Sequence, residues 1–142
     1  GWKDLDFIIV DMPPGTGDTQ LTFSQEIKMD GAIIISTPQE VALLDVKRGI
    51  KMFDKLGVKI LGLVDNMSYF TGDDGKKYKI FGEGGVKRTA EEFGKEFLGE
   101  IPLNPEVGKC GDEGKPIVEA NPDHEISKIY LDFAQKIKST YL

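Results

Sequence analysis

A short apolar run that ends at an acidic residue constrains the fold of this chain more than any other feature. Residues 5–10 are dominated by β-branched and aromatic side chains, a composition typical of a strand buried on both faces of a parallel sheet. Asp11 follows directly, and the segment Pro13-Pro14-Gly15-Thr16-Gly17 comes next. Because open α/β sheets bind ligands beyond the carboxyl ends of their strands, this pattern predicts a ligand-binding loop.

The loop after Asp11 has the chemistry of an anion-binding turn. Gly15 and Gly17 lack a Cβ, so their backbone N–H groups can approach a phosphate closely and the turn can use positive φ angles. In nucleotide hydrolysis, an aspartate at the end of a hydrophobic strand helps to hold Mg²⁺, directly or through water. Asp11 is the candidate for that role. From these residues alone a structural interpretation stays open, in which Asp11 caps a turn and the glycines only reverse the chain.

The rest of the chain alternates between strand and helix patterns, which predicts an α/β fold with a parallel sheet and helices on both faces. All 142 residues are expected to form part of one domain. Asp18 is expected to cap the first helix, and residues 104–114 are expected to form a loop or a broken helix. The predicted strands are 32–36, 58–64 and 97–101, the predicted helices are 19–26, 40–56 and 86–93, a hairpin covers 69–81, and a last helix starts at Asn121-Pro122.

Composition excludes several functional classes. The net charge is −6, which argues against a nucleic-acid-binding surface because such surfaces are usually basic. The sequence contains no run of about twenty apolar residues and no leader pattern, so we expect a cytoplasmic protein without a membrane span. A single cysteine, Cys110, rules out an intrachain disulfide and fits a reducing compartment.

Taken together, the motifs resemble the Mrp family of P-loop ATPases, the iron-sulfur cluster carriers related to the MinD and ParA ATPases. The segment from Trp2 to Asp18, W-x-x-L-D-F followed by a strand and D-x-P-P-G-T-G-D, is similar to the family signature. The resemblance extends over nearly the whole chain. Similar segments follow in the family's order at 37–45, 66–70, 80–85, 99–103 and 114–118.

This resemblance implies a dimeric ATPase that binds MgATP and acts in iron-sulfur cluster assembly or transfer with client or scaffold proteins. Asp11 would then help to hold Mg²⁺, and Gly15 and Gly17 would sense the terminal phosphate. Asn66 resembles the asparagine that contacts adenine, and Pro102 resembles part of the loop that packs against the nucleoside. Read without the family, Asn66 and Pro102 are turn residues.

Two expected features of the family do not occur in this sequence. No phosphate loop of the form G-x-x-x-x-G-K-[ST] is present, so the chain resembles the C-terminal half of such an ATPase and is expected to be inactive alone. By the same resemblance, the phosphate-loop strand would lie between the first and second predicted strands. Its absence leaves open sheet edges, which are expected to be filled by the missing half or by intermolecular packing.

The second missing feature is a pair of cysteines. In many relatives two cysteines, two residues apart, follow the Asn-Met-Ser segment and hold one 4Fe-4S cluster between two subunits. Here residues 71–75 read TGDDG, and Cys110 stands alone in a Gly/Lys-rich stretch, where a free thiol is expected. His124 is expected to be a surface side chain. The missing pair keeps two alternatives open: a MinD- or ParA-like positioning ATPase without metal, and a non-catalytic dimerisation module.

Overall fold

A three-stranded parallel sheet lies at the centre of the computed structural model, which describes residues 1–13 and 15–142. The strands β1 (Ala32–Ser36), β2 (Ile60–Asn66) and β5 (Phe97–Ile101) are arranged in the order β1-β2-β5. Two further short strands, β3 (Phe70–Thr71) and β4 (Lys77–Tyr78), pair as an antiparallel hairpin. The predicted α/β fold is confirmed, and the antiparallel pair lies within the predicted hairpin segment 69–81 but is shorter than it. Pro14, which belongs to the predicted anion-binding turn, lies outside the described residues.

Six helices are formed by the described residues, and α2 begins and ends where local signals place it. α2 follows Pro38-Gln39 and stops at Gly57, whose φ of 70° is the left-handed conformation that favours glycine. The helices are α1 (Asp18–Glu26), α2 (Glu40–Leu56), α3 (Gly85–Glu92), α4 (Pro105–Asp112), α5 (Ile117–Ala120) and α6 (Glu125–Tyr141). None of these helices is long and apolar enough to cross a membrane.

The sheet separates two apolar clusters because consecutive strand residues point to opposite faces. Leu63 and Val64, neighbours in β2, belong to different clusters. On one face α2 and α3 complete the first core cluster, which consists of Leu43, Val46, Ile50, Ile60, Leu63, Val86 and Ala90. On the other face α4, α5 and α6 complete the second core cluster, which consists of Val64, Leu98, Ile101, Cys110, Ile117 and Ile126.

The strand predicted over residues 5–10 is not formed, and the prediction that it is buried is wrong. Its side chains are exposed, and Ile9 reaches 82% exposure. Among the described residues, the ring of Phe7 meets the ring of Tyr141 edge to face at 6.5 Å. A strand is stable only when a neighbour takes up its backbone hydrogen bonds, and no described strand pairs with this segment. The composition of the run is that of a buried strand, but the strand beside it is not supplied by the described residues.

Several predicted element boundaries also need correction. β2 extends through Asp65 and Asn66, which were expected to follow the strand. Asp18 is the first residue of α1 and does not cap it, since Gly17 holds the N-cap position and no side-chain cap bond is present there. Residues expected to form a loop or broken helix contain α4, which the Asn104 side chain caps by accepting a hydrogen bond from the N–H of Glu106 at 2.8 Å.

Three predictions for the C-terminal part of the chain need correction: the start of the last helix, the role of His124 and the location of Cys110. The last helix begins at Glu125 and not at Asn121, because the short helix α5 ends just before Asn121. His124 caps α6, its Nδ1 accepting a hydrogen bond from the N–H of Ile126 at 3.1 Å, so it is not merely a surface side chain. Cys110 lies in α4 with 6% exposure, packed into the second core cluster and not in an open loop.

Candidate functional site

The carboxyl ends of β2 and β5 bring Asn66 and Pro102 together. Asn66 is the last residue of β2 and pairs with Ile101, the last residue of β5, which Pro102 follows directly. Asn66 is half-buried and Pro102 is buried. Both residues therefore lie at the end of the sheet where parallel α/β folds bind ligands.

Hydrogen bonds fix the loops that leave this edge of the sheet. The backbone N–H and the hydroxyl of Ser68 both donate to the carbonyl of Ile101, at 3.1 and 3.3 Å. The N–H of Leu103 donates to the carbonyl of Tyr69 at 2.7 Å. These bonds cross-link the segment after β2 to the segment after β5, so the position of Pro102 relative to Asn66 is set by backbone contacts.

The loop that contains Asp11, Gly15 and Gly17 leads into α1. Asp11 is exposed, Gly15 has a φ of 98°, and Gly17 is the N-cap of the helix. The Gln20 side chain donates a hydrogen bond to the carbonyl of Pro13 at 2.8 Å and so ties the start of the loop to the first turn of α1. The positive φ predicted for this turn is therefore found at Gly15.

Within the described residues, no hydrogen bond or ion pair joins this loop to the Asn66 and Pro102 edge. The structure thus places the five predicted site residues in two groups: Asn66 with Pro102, and Asp11 with Gly15 and Gly17. Their roles in binding nucleotide and metal stay predictions.

A buried carboxylate beside Asn66 is the feature that sequence reasoning missed. Asp65 is 1% exposed, and its Oδ1 has no hydrogen-bond partner among the described residues. In the sheet register it pairs with Ser36 on one side and with Glu100 on the other. The pKa of the Asp65 carboxyl is raised from 3.8 to about 6, mainly by burial and also by the charge of Glu100, while the charge of Lys79 partly offsets both. The sequence does show an acidic residue directly after the apolar run of β2, but that residue was interpreted as marking the end of the strand and not as a buried group.

Comparison with known proteins decides the family. The model of the ParA family described as the NUBPL iron-transfer P-loop NTPase matches residues 1–138. The chain belongs to this family. The resemblance drawn from the motifs is therefore confirmed.

Relatives of this P-loop NTPase include proteins named for iron-sulfur chemistry. The chain is 45% identical over 135 residues to the iron-sulfur cluster carrier protein of Aquifex aeolicus, covering 94% of this chain and 37% of that protein. It is 51% identical over 137 residues to the mitochondrial iron-sulfur protein required for NADH dehydrogenase of Arabidopsis thaliana, covering 96% and 44%. The chain thus spans less than half the length of these relatives.

Solved structures agree on the fold of this P-loop NTPase. A nucleotide-binding protein from Archaeoglobus fulgidus, in complex with ADP, is 40% identical with a TM-score of 0.65 and covers 73% of this chain and 43% of that one. The cell division ATPase MinD of Pyrococcus furiosus is 22% identical with a TM-score of 0.60, covering 78% and 43%. The second likeness shows the fold alone, and it confirms the predicted MinD-like parallel sheet.

Proposed function

We propose that the intact protein binds MgATP, hydrolyses it, and uses the cycle in iron-sulfur cluster assembly or transfer. The observation that carries this proposal is the meeting of Asn66 and Pro102 at the ligand end of the sheet, in a chain of an iron-transfer P-loop NTPase family. The ADP complex of the Archaeoglobus fulgidus relative supports nucleotide as the ligand. The names of the curated relatives support the iron-sulfur role.

Each site residue has a role that suits its chemistry. The amide of Asn66 both donates and accepts, so it can pair with the edge of a base, while Pro102 offers an apolar surface to the nucleoside. The exposed carboxylate of Asp11 is a ligand type that Mg²⁺ prefers. Gly15 and Gly17 are exposed and lack a Cβ, so their N–H groups suit a phosphate. A bound Mg²⁺ would neutralise charge on the phosphates.

The exposed apolar segment supports a larger assembly in the intact protein. No strand of the described residues pairs with residues 5–10 or with the outer edge of β1, on which Ile35 is 60% exposed. A further parallel strand between these two segments would take up the free backbone hydrogen-bonding groups of both. In our proposal the part of the protein that the relatives have beyond this chain supplies that strand and the phosphate loop, and the intact ATPase works as a cytoplasmic homodimer.

Nucleotide binding and hydrolysis by the full-length protein test the proposal. Asn66→Ala should weaken ADP and ATP binding by about tenfold, the loss of one paired hydrogen-bonding group. Asp11→Asn should lower kcat by about 100-fold, as loss of one charge-stabilising group does, and should leave ADP binding in EDTA unchanged. Gln135→Ala on the exposed side of α6 and Asp6→Asn in the same segment as Asp11 are the matched controls. Hydrolysis that is equally fast in Asp11→Asn and wild type would remove Asp11 from the site.

A second candidate is a positioning ATPase that handles no metal. It is favoured by one observation, the absence of cysteine from residues 71–75. Deletion of the gene for this protein in its own host distinguishes the two candidate functions. Loss of activity in iron-sulfur enzymes supports cluster assembly, whereas normal activity of those enzymes with misplaced division sites or DNA supports positioning.

A further inference from the structure

The hairpin that follows Asn66 carries a set of side-chain contacts that no part of the nucleotide site uses. Strands β3 and β4 are two residues each, and their turn is closed by bonds from the N–H of Gly72 to the carbonyl of Lys76 and from the N–H of Gly75 to the carbonyl of Gly72, both at 2.9 Å. An isolated two-stranded hairpin is only marginally stable in water. Side-chain contacts therefore decide whether this one keeps its shape.

Asp74 and Tyr78 form the central contact. The Tyr78 hydroxyl donates to the Asp74 carboxylate at 2.7 Å, and the N–H of Lys76 donates to the same carboxylate at 3.0 Å. The hydrogen bond from Tyr78 holds the pKa of Asp74 below its ordinary value of 3.8, and the same bond raises the pKa of Tyr78 above 10. At neutral pH the Asp74 carboxyl is therefore charged and the Tyr78 hydroxyl protonated, as this contact requires.

A second contact joins the base of the hairpin. The Lys77 ammonium lies 4.2 Å from the centre of the Tyr69 ring, within the range of a cation–π interaction. The two contacts tie the incoming arm, the turn and the outgoing arm to one another.

The same contacts fill the space beside the turn. A Cβ on Gly72 would lie 2.8 Å from Cε2 of Tyr78 and 2.9 Å from Oδ1 of Asp74. A side chain at this position would have to displace both residues.

The donor set does not suit an iron-sulfur cluster. Such clusters are held by several cysteine thiolates, and residues 71–75 contain none. Cys110 is buried in the second core cluster on α4. Within residues 1–13 and 15–142, no three His, Cys, Asp or Glu side chains are grouped as metal ligands. The cluster that the family name implies therefore does not fit this hairpin.

We infer that Asp74 and Tyr78 hold the hairpin in place of a metal cluster, and that this hairpin binds no iron-sulfur cluster. Its shape is thus independent of iron supply and of oxygen. The inference stands on hairpin contacts alone and does not depend on nucleotide hydrolysis.

Amide hydrogen exchange of the full-length protein tests this inference. Asp74→Asn and Tyr78→Phe should each speed exchange at Gly72, Gly75 and Lys76 by about tenfold, as loss of one hydrogen bond does. The matched control is Asp73→Asn, because Asp73 is the neighbouring exposed carboxylate and makes no such contact. Exchange at Leu63 in the core should be the same in all variants and reports that they are folded.

Anaerobic incubation of the wild-type protein with ferrous iron and sulfide completes the test. Exchange at the three hairpin amides should be unchanged after desalting. Slower exchange there, accompanied by bound iron and sulfide, would show a cluster at the hairpin and overturn the inference. Unchanged exchange in both Asp74→Asn and Tyr78→Phe would overturn it as well, since the contact would then not hold the turn.

Discussion

Asp65 and Glu100 occupy paired positions on the neighbouring parallel strands β2 and β5, one carboxyl buried and the other exposed. Paired residues of adjacent strands point to the same face, so Glu100 disfavours the charged form of Asp65. The Asp65 Oδ1 has no hydrogen-bond partner in residues 1–13 and 15–142, and such a buried acceptor costs free energy that the rest of the fold must offset. Asp65 is therefore a destabilising group located next to the predicted adenine contact.

Asp65→Asn should stabilise the protein above pH 6. The folded state binds the Asp65 proton more tightly than the unfolded state, so wild-type stability falls as pH rises from 3.8 to about 6 and stays low above that. The change in pKa corresponds to about 2 to 3 kcal/mol. Urea unfolding should show this gain at pH 7 and almost none at pH 3.5, with Asp73→Asn as the control. An equal effect at both pH values would contradict the assignment.

Ile50→Ala should cost about 2–5 kcal/mol of unfolding free energy. Ile50 has no exposed surface and lies in the first core cluster, so its truncation leaves a cavity between α2 and the sheet. Ile80→Ala is the matched control because Ile80 is exposed beside the hairpin, and it should change stability by less than about 0.5 kcal/mol. Urea unfolding measures both. Similar losses in the two variants would contradict the described core.

His124→Ala should lower stability by about 1 kcal/mol, the usual cost of losing a helix N-cap. The ring of His124 accepts the hydrogen bond from the N–H of Ile126, and Ile126 is fully buried in the second core cluster. His124→Asp should restore most of the loss because aspartate is a favoured N-cap residue. Failure of aspartate to rescue would show that the imidazole acts through its 3.4 Å contact with Glu106 instead.

The parts of the fold that local patterns determine could be predicted from the sequence, and those that depend on distant contacts could not. β1 and α2 carry complete local signals, an apolar run before Thr37-Pro38 and a helical repeat closed by Gly57, and both were predicted at their observed bounds. The capping role of His124 was missed because it depends on α6 beginning at Glu125 and not at Asn121-Pro122.

The candidate site likewise has a part that the sequence could indicate and a part that depends on distant contacts. Asn66 and Pro102 were singled out separately, by resemblance to the family, and their common position follows from the rule that parallel strands place their carboxyl ends at one edge. Burial of Asp65 depends on its neighbours in β1 and β5. No local pattern in the sequence reports those neighbours.

Residues 5–10 should make this 142-residue chain self-associate. They form an exposed apolar segment with high β propensity, and β1 offers an open edge whose backbone groups have no partner strand among the described residues. In β5, the other edge strand, the pairing register shifts between the partners of Leu63 and Val64, as at a β-bulge. The Lys136 ammonium also donates a hydrogen bond to the carbonyl of Leu98 in this strand. Bulges and lysines are devices that discourage edge pairing, so association should use β1 and residues 5–10.

Sedimentation velocity over a range of concentrations measures this association. The Ile9→Asp variant should be more monomeric than the wild-type chain, because a carboxylate cannot be buried between strands without a large desolvation cost. Ile80→Asp, which places the same charge on an exposed isoleucine beside the hairpin, should leave association unchanged. A chain that stays monomeric at all concentrations would show that the exposed segment is tolerated in water. Equal effects of the two substitutions would show that net charge, and not the segment of residues 5–10, controls association.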